Sequence, residues 1–359
     1  MKPRVLFVAR DRYDLPLAPS RARKFDALSE VLDVRMLAVG TGSGDDRFTL
    51  LPMLPRLDGP AYWTLLPARI ALEARRFRPA AVVAQSPFEG AAALAARVPA
   101  PVVVELHGDW RTFARLYGSP LRRLVAAPLD RVGTWALRRA AAVRTVSDYT
   151  TALARAVGVE PAATFPAFMD LDPFLRPREP LPKHASALFV GVLEAYKNID
   201  GLAAAWRLVR ARLPQARLRI VGSGSRAAVV EELVRDGHAT WDRALPTDEV
   251  ARAMDDASAV VLPSRSEGMG RVVVEALLRG RPVVGSNVGG IPDLVRDGVN
   301  GLLVEPTPHA IADGLARVLA DRELLERLAA AAPATAEPWV ATPEEYALRT
   351  ADLVARVAA

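Results

Sequence analysis

The sequence has no cysteine, which excludes disulfides, thiolate nucleophiles and cysteine-ligated metal. Histidine is nearly as scarce: His107, His184, His238 and His309 stand far apart, and no two have the spacing of a zinc pair. No apolar run approaches the ~18 residues a membrane-spanning helix needs. The opening run Val5-Leu6-Phe7-Val8 is too short for a secretory leader and reads as a first buried strand. Aromatic residues make up only 6% and no nucleic-acid motif is present, which weighs against nucleic acid as a partner. What remains is a globular balance, 51% hydrophobic and 25% charged, over 359 residues, a length that fits two domains.

Charge is unevenly placed. Residues 1–170 carry 24 Lys+Arg against 16 Asp+Glu, whereas the rest carry 23 against 25. Within 111–144, eight arginines (111, 115, 122, 123, 131, 138, 139 and 144) face one acid, Asp130. Just before and between them lie Trp110, Phe113, Leu116, Leu121, Leu124, Val125, Leu129, Val132 and Trp135, broken by Pro120 and Pro128. Apolar side chains at three- and four-residue spacing among arginines fit a helix on an anionic membrane surface. They equally fit a core-facing helix with a solvated basic face.

Short apolar runs alternate with helical patterns along the whole chain. Val5–Val8, Val34–Val39, Ala81–Ala84 and Val102–Leu106 read as strands, with helices over Arg21–Val31 and Trp63–Phe77. The second half repeats the scheme. Strands fall at Ala187–Val190, Leu218–Val221, Ala259–Leu262, Val283–Gly285 and Leu302–Val304. Helices fall at Ile199–Arg212, Arg226–Asp236, Thr247–Asp255, Arg271–Arg279 and His309–Ala320. Gly280 and Gly298 read as helix stops. Thr342, Pro343 and Glu345 read as the capped start of a last helix, Pro343–Val357. The proline-rich stretch 167–182 is expected to link two Rossmann-like α/β domains, 1–166 and 183–340, facing each other across a cleft. Residues 341–359 are expected to cross back to the first domain.

The segment Pro263-Ser264-Arg265-Ser266-Glu267-Gly268-Met269-Gly270-Arg271-Val272-Val273-Val274-Glu275-Ala276 follows a strand and opens a helix. Such a loop sits at a strand's carboxyl end, where ligands bind in open α/β sheets. Gly268 and Gly270 let the backbone approach a ligand, and the helix start suits a diphosphate. Glu267 and Glu275 accept hydrogen bonds only, so each can hold a polyol. Two glutamates eight apart around a turn also arise by chance. The segment closely resembles the donor signature Pro-Ser-x-x-Glu-Gly-Phe-Gly of retaining glycosyltransferases of family 4, which have the GT-B fold. The register continues through Gly280-x-Pro282-Val283-Val284, Gly289-Gly290-Ile291-Pro292-Asp293 and Asp297-Gly298-x-Asn300-Gly301-Leu302. Met269 replaces the usual Phe and keeps an apolar side chain.

A second match lies at Gly191-Val192-Leu193-Glu194-Ala195-Tyr196-Lys197, where the family has Gly-Arg-Leu and then a Lys. The resemblance implies that this Lys contacts the donor diphosphate; Val192 stands where the Arg should be, with Arg271 or Arg226 as candidate substitutes. Gly222-Ser223-Gly224-Ser225-Arg226-Ala227, with Asp242 twenty residues on, has the form of a dinucleotide fingerprint. It lies mid-chain, and family 4 has a similar Val-Gly-x-Gly, so it reads as a donor loop. In the first half, His107 and Asp109 follow the strand Val102–Leu106; the resemblance places a His-Gly element opposite the donor sugar. Asp170-Leu171-Asp172 has the form of the metal motif of another glycosyltransferase fold but falls in the linker, so it reads as structural.

The resemblance thus implies a retaining, metal-independent hexosyltransferase with no cofactor. Its donor is a UDP-, GDP- or ADP-sugar held by Gly191, Lys197, Gly222, Glu267, Gly268, Met269, Gly270, Arg271 and Glu275. Lys197, Glu267 and His107 are the expected catalytic residues, and His107 and Asp109 the expected acceptor contacts. The departing diphosphate takes the acceptor's proton, and base contacts are expected around Trp241–Ala244. The expected acceptor is a glycan or lipid-linked carrier of the cell envelope, with the protein cytoplasmic and its 111–144 segment against the inner membrane face. A nucleotide-sugar epimerase or hydrolase of the same fold, and a degenerate binding homologue, are the alternatives; release of nucleotide without transfer would mark the former.

Overall fold

The computed structural model describes residues 2–52, 58–116 and 124–359. Pro120, Leu121, Arg122 and Arg123 of the basic segment lie outside the described residues. The chain divides into two compact units, one built from the chain up to Asp170, Leu116 excepted, together with Ala341–Ala359, the other from Leu171–Val340 with Leu116.

The first unit is a parallel sheet of β1 (Arg4–Asp14), β2 (Asp33–Thr41), β3 (Phe48–Leu51), β4 (Ala81–Ala84), β5 (Val102–Leu106), β6 (Ala142–Thr145) and β7 (Ala163–Thr164). Their order is β3-β2-β1-β4-β5-β6-β7. Helices α1 (Pro19–Val31), α2 (Asp58–Phe77), α3 (Pro87–Ala95), α4 (Phe113–Leu116), α5 (Ala126–Arg139) and α6 (Asp148–Ala156) connect them. β4 and β5 are buried along their length, as parallel strands covered on both faces must be. That is why β4 is legible as an unbroken apolar run and β5 as one broken only by Glu105.

The second unit begins with the short α7 (Asp172–Leu175). It then alternates β8 (Ser186–Val190), α8 (Ile199–Arg212), β9 (Arg217–Val221), α9 (Ala227–Arg235), β10 (Thr240–Asp242), α10 (Thr247–Asp255), β11 (Ala259–Leu262), α11 (Arg271–Leu278), β12 (Val283–Ser286) and β13 (Gly301–Val304). α12 (Pro308–Ala320) and α13 (Arg322–Ala336) complete it. The sheet is parallel, in the order β10-β9-β8-β11-β12-β13. Its core gathers around Trp206 of α8, whose ring is fully buried and whose indole donates to the His238 carbonyl at 2.8 Å.

The change of unit falls after Asp170, inside the proline-rich stretch. Its later part is strapped to the second unit. Arg279 donates to the carbonyls of Arg176 and Pro177, Arg281 to those of Glu179 and Pro180, and Asp255 neutralises both guanidinium groups. Proline-rich backbone has few donors, so its carbonyls need outside partners. Gly280 (φ 66°) follows α11 as expected, but Gly298 (φ 71°) sits in a turn before β13 and ends no helix. The last helix, α14 (Pro343–Ala358), opens with a capping box: Thr342 N–H donates to Glu345 Oε2, and Glu345 N–H to Thr342 Oγ1. It packs in the first unit, with Tyr346 edge-on to Phe165 and Phe168.

Within the first unit, one ion pair ties β5 and β6 to the residues that follow β7. β5 and β6 are in register so that Glu105 lies opposite Arg144. Arg144 is fully buried; its Nη1 lies 2.7 Å from Glu105 Oε1, and its Nη2 donates to the carbonyls of Phe165 and Pro166. The guanidinium stacks 3.9 Å from the Phe165 ring. Arg144 therefore cannot serve as one of the surface arginines expected to face an anionic partner. Burial alone would push the Glu105 carboxyl up, but Arg144, the His107 ring and Lys24 outweigh it and hold it well below its ordinary 4.5. A carboxyl with a depressed folded-state value contributes its stabilisation above its unfolded value and loses it as pH falls through the folded one.

Arg144→Met strands a buried carboxylate, so it is expected to lower unfolding stability by about 3–5 kcal/mol, read by urea denaturation at pH 7. Glu105→Gln with Arg144→Met should recover part of that loss and flatten the acid limb of the stability profile. Equal stability of Arg144→Met and wild type would contradict this.

Candidate functional site

In each sheet the strand order reverses once, and the loops leaving the carboxyl ends of the two flanking strands form a crevice. In the second unit those strands are β8 and β11. The loop after β8 carries Lys197, and the loop after β11 carries Glu267. The two side chains meet as an ion pair, Nζ to Oε1, with 12% and 10% of each exposed. Ser264, fully buried, donates its hydroxyl to the same Glu267 oxygen at 2.8 Å.

The loops are tied by backbone as well. Arg265 N–H donates to the Tyr196 carbonyl at 2.7 Å, and Arg265 Nε donates to Asn198 Oδ1 at 3.1 Å. Asn198 is buried, left-handed (φ 57°) and anchored through Nδ2 to the Pro306 carbonyl. From the other side comes the turn after β12. A Cβ on Gly289 (φ 60°) would sit 2.2 Å from the Glu267 carbonyl oxygen, and one on Gly290 2.2 Å from that of Gly268. Gly290 N–H donates to the Glu267 carbonyl at 3.0 Å. The Gly-Gly pair therefore lets one backbone lie against another, and that contact fixes Glu267.

Beyond Glu267, Met269 is buried as an apolar plug. Gly270 (φ 83°) is the N-cap of α11 and supplies no side-chain cap, so the first amides of that helix face outward from an uncapped end. Arg271 stands exposed one turn before Glu275, Nη2 to Oε1 at 4.0 Å.

The Gly191 and Gly222 loops touch directly: a Cβ on Gly222 would sit 1.9 Å from the Gly191 carbonyl oxygen. The dinucleotide-like loop is already occupied. Glu194 accepts from Ser225 N–H at 3.0 Å and from the Ser225 hydroxyl at 2.6 Å. A carboxylate thus sits where a dinucleotide fingerprint would present its donors to a phosphate. Val192 is 47% exposed. Of the candidate cations, Arg226 lies 3.4 Å from Asp200. Trp241 donates its indole to the Gly222 carbonyl at 2.8 Å and carries Arg243 4.3 Å above its ring.

In the first unit, His107 Nε2 lies 3.2 Å from Glu105 Oε2, which leaves Nδ1 unused. Both Asp109 oxygens are taken by Arg111, at 2.8 and 3.0 Å. The carboxyl ends of β1 and β4 flank this sheet's reversal. Nearby, Glu89 on α3 is buried, bonded to the Ser86 hydroxyl, and pushed up by its burial. The sequence reading missed Glu105, Arg144 and Glu89. A single charge inside each of the strands Val-Val-Val-Glu-Leu and Ala-Val-Arg-Thr was the available signal.

The basic segment is sorted by its partners. Arg111 pairs with Asp109 and Arg115 with Asp130. Trp110 is buried, and a Cβ on Gly133 of α5 would sit 2.4 Å from its ring. Leu124, Val125, Val132 and Trp135 remain exposed beside Arg131, Arg138 and Arg139. No helix among the described residues is long and apolar enough to cross a membrane.

Residues 173–335 match the family described as Glycosyl transferases group 1, and residues 5–166 match the Glycosyl transferase 4-like domain. The chain is 29% identical to sulfoquinovosyl transferase SQD2 of Arabidopsis thaliana over 294 residues, 76% of this chain and 56% of that protein. It spans about half the length of the curated relatives it matches. Sucrose-phosphate synthase from Thermosynechococcus elongatus superposes with a TM-score of 0.79 at 19% identity, over 99% of both chains. Anabaena HepE in complex with UDP and glucose superposes with a TM-score of 0.68 at 21% identity, over 97% of this chain and 99% of that one. At these identities the likeness is one of fold, the GT-B arrangement of two parallel-sheet units.

Gly289→Ala combines a left-handed residue with a backbone clash, and is expected to cost more than about 1 kcal/mol. It should also displace the Glu267 loop. Denaturation and amide exchange of Glu267–Gly270 measure both; unchanged exchange there would show that the turn does not hold the loop.

Proposed function

The chain belongs to the group 1 glycosyl transferases, and from that premise we propose that it moves a sugar from a nucleotide-sugar donor to a hydroxyl acceptor with retention of configuration and without a metal. The observation that carries this reading is the Lys197–Glu267 ion pair at the reversal point of the second sheet. A cation and a carboxylate held there by rigid backbone are the two groups a sugar diphosphate requires.

In the resting protein each neutralises the other. A donor diphosphate takes over Lys197, and the carboxylate of Glu267 turns to the sugar's hydroxyls. The uncapped amides at Gly270–Arg271 and the α11 dipole receive the remaining phosphate charge, and Glu275 takes the ribose. The sugar–phosphate bond breaks as the acceptor oxygen bonds to the same face of the sugar carbon. The acceptor's proton passes to the departing phosphate oxygen. Charge on that leaving group is met by preorganised donors, so no metal is invoked. His107, with Glu105 fixing its Nε2–H, offers Nδ1 to a substrate hydroxyl.

UDP-hexose is the first donor to test, since UDP and glucose occupy the Anabaena relative of this fold. GDP- and ADP-sugars follow in the same screen. We assign the acceptor to the lipid-linked glycans of the cell envelope, met at the cytoplasmic membrane face. That assignment is supported by the exposed Leu124, Val125, Val132 and Trp135 among arginines, an arrangement that suits an anionic bilayer surface.

Glu267→Ala should abolish transfer without altering the circular dichroism spectrum. Glu267→Gln should lower transfer by at least about 100-fold. It should also bind UDP about fivefold more tightly, because about 1 kcal/mol of ion pairing no longer competes for Lys197. Calorimetric titration with UDP measures this; weaker binding by Glu267→Gln would refute the exchange of partners, and no binding of any nucleotide sugar by wild type would sink the enzyme reading. Trp135→Glu is expected to reduce flotation with phosphatidylglycerol vesicles, and equal flotation would remove the membrane from the proposal.

A further inference from the structure

The amino end of the first sheet holds a cavity of about 510 Å3 between the ends of α2 and α3. Pro79, just before β4, and Ala100, just before β5, line it. It therefore lies at the opposite end of those strands from Glu105 and His107. Its charged lining residues are Arg75, Arg78 and Arg97, with no acid among them. Among the described residues, none of these arginines has a side-chain hydrogen-bond or ion-pair partner, whereas Arg111, Arg115, Arg144, Arg155, Arg279 and Arg322 all do.

The backbone adds a second, independent observation. Arg78 and Arg97 are both left-handed, each at φ 51°, just past the ends of α2 and α3. Other helices that end this way use glycine: Gly158 after α6, Gly237 after α9 and Gly280 after α11, at φ 76°, 69° and 66°. A side chain at such a position is disfavoured, and Pro79 further restricts the residue before it. The two helices that converge on one cavity are thus the two that carry arginine where glycine is easier. Strain of this kind persists where the side chain has a use.

Three guanidinium forks without resident partners match the oxygens of a phosphate, which they can grip in pairs. The carbonyl ends of α2 and α3 cancel part of that positive charge, so the attraction for an anion rests on the three guanidinium groups together. Ala71, Ala74 and Val98 give the cavity an apolar floor, and its size suits a small organic group. We propose that this cavity is a binding site for a phosphate-bearing ligand, a phosphomonoester with a small apolar part, separate from the donor loops of the second unit. The phosphomonoester can come from a free metabolite or from a lipid headgroup.

The test uses the full chain and the Arg78→Gly/Arg97→Gly double variant. Because glycine suits both backbone positions, this variant should fold and melt at or above the wild-type temperature. Inorganic phosphate and glycerol 3-phosphate are titrated calorimetrically at constant ionic strength, alongside Lys197→Ala. Vesicles of phosphatidylcholine with or without phosphatidic acid form the lipid arm. Wild type and Lys197→Ala should bind alike and the double variant at least tenfold more weakly, to the soluble esters or to phosphatidic acid vesicles; which of the two shows the loss identifies the source. Equal binding by wild type and double variant to every probe overturns the proposal, as does loss of binding in Lys197→Ala alone.

Discussion

The loop cluster of the second unit depends on backbones that touch. The Gly289–Gly290 turn lies against the Glu267–Gly268 backbone with no room for a Cβ on either of its glycines, and Gly222 lies against the Gly191 backbone with no room for one of its own. These contacts bring four loop segments together at the carboxyl ends of β8, β9, β11 and β12. A side chain held by a flexible loop would need ordering each time substrate bound. One held by abutting backbone has that entropy removed at folding. The Lys197–Glu267 pair exploits this rigidity. Each group keeps the other in place, so two charges remain in a mostly buried crevice without either being left unpaired.

How much of this was legible in the sequence follows from how local each feature is. The central strands were readable because a strand covered on both faces is an unbroken apolar run. The edge strands β3, β7 and β10 were not, since each has only two to four residues and half-exposed positions. The α3 helix escaped because its run of small apolar residues is buried on several faces and has no polar stripe to set a period. Gly298 misled because a left-handed glycine serves a loop turn as well as a helix end. Lys197, Glu267 and Gly270 stood out because each falls in a short loop at a strand's carboxyl end, and the structure brings Lys197 and Glu267 together. The Glu105–Arg144 pair was not, because sheet register brings together residues thirty-nine apart.

Net charge proved a poor guide until each arginine was placed. The excess in the first half of the chain suggested one basic surface, yet its members do different things. Arg144 is a core residue, and Arg111 and Arg115 spread over nearby carboxylates. Arg279 and Arg281, in the second unit, satisfy proline-rich backbone. An arginine in a folded protein first answers buried carboxylates and carbonyls, because leaving those unmet is more costly than leaving a solvated guanidinium unpaired.

That ordering separates two kinds of cationic site. Lys197 has a resident carboxylate, so in the proposed mechanism an incoming phosphate must displace it; the gain would be the difference between two ion pairs, and the displaced Glu267 would become available to the sugar. Binding and orientation are then one event. Arg75, Arg78 and Arg97 have no resident carboxylate among the described residues. A phosphate there gains its full interaction but meets charges exposed to salt, so its affinity should fall with ionic strength faster than that of the Lys197 site. The first arrangement selects for a ligand that also carries hydroxyls where Glu267 turns. The second responds to phosphate itself, which is what a site that senses or anchors, and does not transform its ligand, requires.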